Sequence, residues 1–251
     1  MKLRHVRHAT FHLYIHDLVL LVDPVLGPAE SMTPIDNSPN QRRNPLVDLP
    51  VELAEVVKAD CCLVTHMHRD HFDSAAGEQL PKAMPVFCQP EDSDKLKQQG
   101  FANVQAVISN VSWQGISIVR TGGQHGTGEI GRKMAPVSGY VLKSAGEPTI
   151  YIAGDTIWCP EVAETLAIHR PDVIILFGGA ARFNQGEPIT MGTEDIVQVC
   201  RQAPSANLVV VHMEAINHCL LTRDELKRFL YQEGLDSRVH VPADGQWLNF
   251  C

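Results

Sequence analysis

The sequence has 251 residues and a formal net charge of −8, with 21 Lys and Arg against 29 Asp and Glu. A chain of this length can bury a sizeable core, and its acidic balance gives no general attraction to nucleic acid or to an anionic membrane. We therefore expect no nucleic-acid partner, and a nuclease role is disfavoured because the chain also has no basic arm.

The N-terminal residues lack the uninterrupted apolar run of a secretory signal, and no later apolar run approaches the ~18 residues of a membrane span. We expect a soluble, cytoplasmic protein with no membrane span. The seven cysteines, which include Cys251, are odd in number and form no C-x-x-C pair. They predict neither a disulfide framework nor a thiolate zinc site, and most should be buried small apolar side chains.

The first quarter of the chain begins with a predicted hairpin of strands 11–15 and 18–23. Residues 27–50 hold five prolines and little periodicity, so they predict a long loop that could form a wall of a substrate pocket. A helix over 51–59, a strand over 61–65 and a helix over 74–80 follow.

The remaining chain mixes strands and helices. Further strands are predicted at 85–89, 103–108, 116–121, 139–144, 149–155, 173–178, 207–212 and 238–242, and further helices at 92–99, 160–169, 193–202 and 222–232. The strands early in the chain are hairpin-like, whereas the later strands alternate with helices. The pattern predicts one α/β domain over residues 1–251, built from a mixed sheet or a pair of mixed sheets flanked by helices.

The stretch THMHRDHFD at residues 65–73 directly follows the apolar run CCLV. His66 and His68 are two residues apart, so at a strand end their side chains point to the same side and can bind one ion. Asp70 and His71 follow where the backbone turns and can reach a second point close by. Imidazole with carboxylate suits zinc or another first-row ion better than calcium or magnesium.

Three more predicted strands run into a polar side chain: ISIVRT into the loop GGQHG with His125, TIYIAG into Asp155 and NLVVV into His212. Taken singly, each has an ordinary alternative: a loop histidine, a helix cap and a buried core histidine. Taken together with the histidine motif, they predict one metal site on a rigid sheet edge. His218 lies close to His212, and the strand-end position favours His212 as the ligand and His218 as a neighbouring or substrate-facing group.

Residues 126–131 match the spacing G-x-G-x-x-G formally. A dinucleotide site needs a helix directly after those glycines, and Pro136 would cut such a helix short. We therefore predict a loop that folds closely around His125 rather than a nucleotide site.

Two further groups of residues stay ambiguous. His5, His8, His12 and His16 have near-helical spacing in a strand-like context, which favours an exposed edge or a pocket rim over a third metal site, with His8 the strongest candidate for a role. Arg42, Arg43, Arg132 and Lys133 lie on the two loops expected near the site, where they could bind an anionic substrate group or be solvated surface charges.

The assembled residues resemble the metallo-β-lactamase superfamily, whose signature H-x-H-x-D-H is matched at residues 66–71. The resemblance also covers HAT at 8–10, LVDP at 21–24, GGQHG, AGDT at 153–156, VVVHMEA at 209–215 and PADGQ at 242–246. Within the superfamily the sequence is most similar to the branch of L-ascorbate 6-phosphate lactonase and the N-acyl phosphatidylethanolamine phospholipase D enzymes. The resemblance implies an αβ/βα sandwich of two mixed sheets with helices outside.

The resemblance also implies a ligand set. His66, His68 and His125 would hold one metal ion, Asp70, His71 and His212 would hold a second, and Asp155 would bridge them. Two divalent ions, with zinc first and manganese, iron or nickel as alternatives, would supply a metal-bound hydroxide. Asp70 would accept or pass on its proton, and His218 would donate to the leaving group.

The expected function is therefore hydrolysis of an ester, lactone or phosphoester bond in a small metabolite. An anionic group on that metabolite and a homo-oligomer are both compatible with the sequence. Two rival hypotheses remain open. One is a mononuclear iron dioxygenase of the persulfide dioxygenase type, which resembles the same motif, and the other is a non-catalytic binding protein on the same scaffold.

Overall fold

The computed structural model describes residues 1–250 as strands and helices in the following order. The strands are β1 (Lys2–Arg7), β2 (Thr10–Ile15), β3 (Leu18–Val22), β4 (Cys61–Val64), β5 (Pro85–Cys88), β6 (Asn103–Ala106), β7 (Asn110–Trp113), β8 (Ile116–Thr121), β9 (Gly139–Lys143), β10 (Ile150–Ile152), β11 (Val173–Phe177), β12 (Asn207–Val211), β13 (Val239–His240) and β14 (Trp247–Asn249). The helices are α1 (Leu53–Val56), α2 (Ser74–Gln79), α3 (Ser93–Gln98), α4 (Gly128–Met134), α5 (Pro160–His169), α6 (Thr193–Gln202) and α7 (Arg223–Gln232), with a 3₁₀ turn at Pro90–Asp92.

Within residues 1–250 the strands form two sheets of seven strands each. The first sheet has the order β14-β1-β2-β3-β4-β5-β6 and the second the order β13-β12-β11-β10-β9-β8-β7. In the first sheet the pairs up to β2·β3 are antiparallel and those from β3·β4 onward are parallel. The second sheet likewise changes from antiparallel to parallel at β10. Both sheets are therefore mixed.

The strand β11 shows how the layers are stacked. Its sequence VIILF is buried along its whole length, as expected for a strand covered on both faces. Ile175 and Phe177 belong to the core shared with first-sheet residues such as Leu63. Ile174 and Leu176 belong instead to the core shared with α5, α6 and α7. The two sheets thus pack face to face with helices outside, which confirms the predicted αβ/βα sandwich.

Several elements differ from the sequence prediction. The strands β1, β7 and β14 were not predicted, and the helix expected over residues 51–59 is confined to the four residues of α1. The strand β7 is four residues long and is separated from β8 by two residues, and β14 is three residues long, so each is too short for a clear sequence pattern. The long proline-containing loop is confirmed as irregular backbone between β3 and α1.

The structure of residues 1–250 tests the predictions made for the cysteines and for membrane-spanning helices. The six cysteines in this range are free and buried, in agreement with their expected role as small apolar side chains. Cys251 lies outside the described residues. None of the helices in this part of the chain combines the length and the apolar character needed to cross a membrane.

Candidate metal centre

The predicted ligands lie at strand ends that meet where the two sheets face each other. In the second sheet, β8 and β10 are both antiparallel to β9 and so run the same way, and β12 runs parallel to them through β11. These strands lead to His125, Asp155 and His212 at one edge. The histidine motif, however, follows β4 of the first sheet. The prediction of a single sheet edge was wrong, because two sheets contribute.

A first group of ligand atoms is formed by His66, His68 and His125. Their ligand atoms all lie within 4.8 Å of one another. The Nε2 atom of His66 is 2.9 Å from Nδ1 of His68. His66 and His125 are buried, while His68 is half-buried at the open side. This group matches the first ion site expected from the sequence.

A second group contains Asp70, His71 and His212, whose ligand atoms also lie within 4.8 Å of one another. The Nε2 atoms of His71 and His212 are 3.1 Å apart, and Asp70 Oδ2 is 3.9 Å from His212 Nε2. All three side chains are buried. The set combines two imidazoles and a carboxylate, as expected for the second ion.

Asp155 connects the two groups. Its Oδ2 atom lies 3.3 Å from His125 Nε2 and 3.2 Å from His71 Nε2, and its Oδ1 atom lies 3.3 Å from His212 Nε2. One carboxylate therefore faces histidines of both groups. Burial alone would raise the pKa of Asp155, but the surrounding histidines hold it well below its usual range, so the carboxylate is charged.

Neighbouring groups fix which nitrogen of each ring faces the site. His71 Nδ1 is 2.9 Å from Asp23 Oδ2, and His125 Nδ1 is 2.8 Å from the carbonyl oxygen of Ile189. When these Nδ1 atoms donate, Nε2 is the nitrogen of each ring that faces Asp155. Such outer hydrogen bonds are typical of metal-ligating histidines.

One acceptor atom of the connecting carboxylate lacks a protein partner at the centre of the cluster. Asp155 Oδ1 is buried without a hydrogen bond, and the His71 and His212 nitrogens point at each other. Burial lowers the pKa of His66 and of His212 well below the usual range, so both rings are neutral, the form that binds a metal ion. Unpaired buried acceptors are costly unless something binds them. The residues therefore fit a pair of divalent cations.

Asp23 supports the cluster from the end of β3, which pairs in parallel with β4. Besides His71, it accepts hydrogen bonds from the backbone N–H of Thr65 at 2.7 Å and from the Thr65 hydroxyl at 2.6 Å. The sequence reading noted Asp23 only as part of the family pattern LVDP. In the structure Asp23 contacts the histidine motif directly and connects the end of β3 to the residues that follow β4.

We expect Asp23→Asn to weaken metal binding by about 10- to 100-fold, because the amide cannot accept all the hydrogen bonds that orient His71 and Thr65. Competition with a chromophoric chelator measures the affinity. The matched control is Asp60→Asn, since the exposed Asp60 accepts a hydrogen bond from Val19 N on the same sheet at 2.8 Å. Equal affinities in the two variants would show that Asp23 does not orient the ligands.

The four N-terminal histidines do not form an exposed edge. His5, His8 and His12 are buried, and His16 is the one with an exposed side chain. The expectation was wrong because β1 pairs between β2 and β14, which covers this segment. His8 follows β1 directly, and its ring centroid lies 3.9 Å from that of His212. The strand-end rule that located the other ligands would have found His8 if β1 had been recognised.

His218 lines a cleft beside the second group. Its Nε2 atom is 3.8 Å from Asp70 Oδ2, and its side chain is 5% exposed. Burial would raise the pKa of Asp70, but the nearby histidines hold it well below its usual range, so Asp70 is charged. His212 belongs to the clustered ligand atoms and His218 does not. The geometry agrees with the prediction that His212 is the ligand and His218 a neighbouring group.

The cleft has a volume of about 470 Å³ and a mixed lining. Its apolar wall consists of Ile35, Met67, Met134 and Phe183. The sequence did not predict these lining residues. The polar lining of the cleft consists of Asp36, His68, Arg69, Asp70, His125 and His218. The proline-rich loop and the glycine segment after His125 each contribute to the wall, as expected.

The proline-rich loop is tied to the site by two polar side chains. Arg69, within the histidine motif, donates to Thr33 Oγ1 at 2.7 Å and to the carbonyl oxygen of Pro34. Asn217, next to His218, accepts from Ile35 N at 2.9 Å and donates to Ser38 Oγ at 2.6 Å. The cleft wall and the metal cluster are therefore held in a fixed relation.

The four cationic residues expected near the substrate do not line the cleft. Arg43 donates to the carbonyl oxygens of Glu30 and Ser31, and Lys133 pairs with Glu129 one helical turn away. Arg42 and Arg132 are exposed. Their positions agree with the reading of these residues as solvated surface charges.

The glycine segment contains a helix where a loop was predicted. The helix α4 begins within the glycine pattern at Gly128 and ends at Met134, two residues before Pro136. Proline terminates the helix but does not prevent it, because a short helix fits in the space before it. The glycines do allow close packing: Gly126 has φ +90°, and a Cβ on it would lie 2.7 Å from Ile189 Cγ2.

Comparisons with known proteins identify the family of the chain. The family model described as the beta-lactamase superfamily domain matches residues 19–213. The UPF0173 protein YddR of Bacillus subtilis is 36% identical over 100% of both chains. A UPF0173 metal-dependent hydrolase of Azorhizobium caulinodans is 28% identical over 98% of each chain.

A solved structure is also similar over the full length. The isothiocyanate hydrolase from Delia radicum gut bacteria is 36% identical, with a TM-score of 0.95 that covers 100% of this chain and 99% of that chain. The fold of this chain is therefore shared with a hydrolase of related sequence.

Proposed function

The chain belongs to the beta-lactamase superfamily and to its UPF0173 metal-dependent hydrolases, and on this premise we propose that it uses two divalent metal ions to hydrolyse a small, largely uncharged substrate. One observation carries the proposal of two ions. The Asp155 carboxylate faces His125 through one oxygen and His212 through the other, and these histidines belong to different ligand groups.

When bound, two ions about 3.5 to 4 Å apart lower the pKa of a water molecule toward ~7 and stabilise negative charge that develops on the substrate. Zinc suits the imidazole and carboxylate donors, with manganese, iron or nickel as alternatives. His66, His68 and His125 would hold the first ion, and Asp70, His71 and His212 the second. No serine or cysteine nucleophile is needed.

Asp70 and His218 would handle the protons. Asp70 is charged, lines the cleft and can accept the proton of the attacking water. His218 Nε2 is 3.8 Å from Asp70 Oδ2 and also lines the cleft, so it can pass a proton from that side to the leaving atom.

We expect His218→Gln to lower kcat by about 100-fold or more while both ions remain bound, because a positioned general acid typically contributes 10²- to 10⁴-fold. Steady-state kinetics and elemental analysis of the same preparation measure the two quantities. The exposed His16 provides the control variant His16→Gln. Loss of an ion in His218→Gln would instead make His218 a ligand.

The substrate that fits the cleft best is an isothiocyanate, R–N=C=S. The apolar wall of Ile35, Met67, Met134 and Phe183 suits an uncharged R group, and the full-length relative of 36% identity is an isothiocyanate hydrolase. Water adds its oxygen to the central carbon and its protons pass to nitrogen. The carbon–nitrogen bond then breaks and releases the amine R–NH₂ and carbonyl sulfide.

A carboxylic ester or lactone is the second candidate, because His218 could protonate an alkoxide leaving group from the same position. A phosphoester or other anionic substrate has less support. Arg69 is the one cationic side chain of the lining in the described residues, and it is hydrogen-bonded to Thr33 and Pro34.

A substrate panel tests the proposed function. Metal-loaded protein is offered aryl and alkyl isothiocyanates, neutral esters and lactones, and phosphoesters, with amine and carbonyl sulfide measured for the first class. We expect kcat/KM for isothiocyanates to exceed that for phosphoesters by more than about 100-fold, which corresponds to ~2.7 kcal/mol in transition-state binding. Preference for phosphoesters would contradict the proposal. No turnover at full metal occupancy would favour a non-catalytic binding protein.

Metal content and oxygen consumption distinguish the proposed hydrolase from the rival hypothesis of a mononuclear iron dioxygenase. One iron per chain together with oxygen consumption on a persulfide would favour it over hydrolysis. A cytoplasmic location, one domain over residues 1–251 and a homo-oligomer stay predictions.

A further inference from the structure

His8 is a buried histidine whose ring has no hydrogen-bond partner. Its side chain is fully buried, and neither Nδ1 nor Nε2 contacts a donor or acceptor within hydrogen-bond distance. Its neighbours His5 and His12 are also buried, but His5 Nε2 is 3.0 Å from a carbonyl oxygen and His12 Nε2 is 2.8 Å from another. An imidazole left with both nitrogens unpaired carries an uncompensated desolvation cost.

The backbone around His8 is held in an unfavourable conformation. His8 has φ +58° and His212 has φ +62°, in the left-handed region that non-glycine residues seldom adopt. The two residues are joined directly, because His212 N donates to His8 O at 2.9 Å and the ring centroids are 3.9 Å apart. Strained backbone of this kind is retained mainly where it places a functional group. The pairing fixes the His8 ring against an expected metal ligand.

The His8 ring nitrogen also reaches the other ligands of the second group. A ligand atom from each of His8, Asp70, His71 and His212 lies within 4.8 Å of the rest. His8 Nε2 is 3.9 Å from Asp70 Oδ2. Two donor atoms that share one ion at ~2.1 Å each can be up to ~4.2 Å apart, so this distance needs no rearrangement of the chain.

We propose that His8 is an additional ligand of the ion held by Asp70, His71 and His212. The proposal rests on the two-ion site described above. With Asp155 as the bridge, the second ion would then have five protein ligands and one open position. Six-coordinate geometry is typical of manganese, iron and nickel, whereas structural zinc is most often four-coordinate. His8 thus makes the two ion sites unequal, and the second should be the more selective for an octahedral ion.

Metal affinity of His8→Phe tests this role without reference to activity. Phenylalanine keeps a flat ring against His212 and removes the donor nitrogen. The matched control is His12→Phe, a buried histidine on the adjacent strand whose Nε2 bonds to Val56 O. We expect stepwise competition with a chelator to show one of the two ions at least about 10-fold weaker in His8→Phe and both unchanged in His12→Phe. Unchanged affinity for both ions in His8→Phe would overturn the proposal.

The wild-type protein gives a second measurement that does not depend on the variant folding. An anomalous-scattering map of crystals loaded with manganese should place an ion about 2.0 to 2.3 Å from His8 Nε2. A separation above 3 Å would overturn the proposal. If the wild-type protein binds one ion, bonded to His8, the two-ion function fails while the His8 ligand stands. If it binds two ions and neither contacts His8, the His8 ligand fails while the two-ion function stands.

Discussion

Asp155→Asn is expected to abolish turnover and to release at least one of the two ions. The carboxylate faces His71, His125 and His212 at 3.2 to 3.3 Å, so it contacts both ligand groups with its two oxygens. An amide keeps the volume but removes the negative charge and one acceptor oxygen. Because altered outer partners of metal ligands already cost 10- to 100-fold, loss of this direct contact should lower affinity by more than about 100-fold.

Elemental analysis after gel filtration and steady-state kinetics on the same sample measure this prediction. Asp172→Asn is the control, since the exposed Asp172 lies at the start of β11 in the same sheet and accepts a hydrogen bond from Thr149 N. Should Asp155→Asn keep two ions with high affinity, Asp155 would not bridge the site.

Removal of the ions is the second large effect. With a chelator in excess, we expect loss of activity and a melting temperature lower by an amount on the order of 10 °C. An ion present at 1,000 times its Kd stabilises the folded chain by ~4.1 kcal/mol, and each kcal/mol corresponds to about 2 to 4 °C for a chain of this size. The physical cause is the buried pair of charged Asp70 and Asp155 carboxylates, which lose the cations that offset their charge once the ions are gone.

Differential scanning calorimetry with and without chelator measures the shift. Zinc or manganese should restore both activity and melting temperature, while magnesium and calcium should restore neither, because they prefer sites built from oxygen ligands. An unchanged melting temperature with full loss of metal would contradict a structural contribution of the ions. Activity that survives complete metal removal would contradict metal-dependent hydrolysis by this chain.

The sequence predicts the fold and most of the ligand positions because both depend on local patterns. Continuous apolar runs such as VIILF identify strands buried on both faces, and the residue that follows each run lies at a sheet edge. This rule located His66, Asp155 and His212 from sequence, and it placed His125 in the loop that follows the strand 116–121. The structure brings all four together with His68, Asp70 and His71. Their role as metal ligands remains our proposal.

Features that depend on contacts distant in sequence could not be predicted. The strand β1 pairs with β14, which lies more than 200 residues later, and its sequence alone does not show that it is covered. The position of His8 among the expected ligands and the buried state of its neighbours were therefore not predicted, although His8 was singled out in its group. The cleft wall combines Ile35, Met134 and Phe183 from three separate segments, so no sequence motif identifies it. The contribution of two sheets rather than one edge follows from their face-to-face packing.

The side chain of Asn217, which attaches the proline-rich loop to the site, is a second feature that the sequence could not predict. The sequence shows Asn217 only as a polar residue between Ile216 and His218. In the structure it is buried and hydrogen-bonded to Asn44, Ser38 and Ile35. The proline-rich loop was expected to form a pocket wall on composition alone. Its attachment to the turn that carries His218 required the three-dimensional structure.

The central claim is that this cluster holds two ions bridged by Asp155. Elemental analysis of protein purified without added metal, followed by an anomalous-scattering map, tests it directly. We predict two ions about 3.5 to 4 Å apart, one bonded to His66, His68 and His125 and the other to Asp70, His71 and His212. A single ion at full occupancy, or ions bound away from Asp155, would contradict the claim.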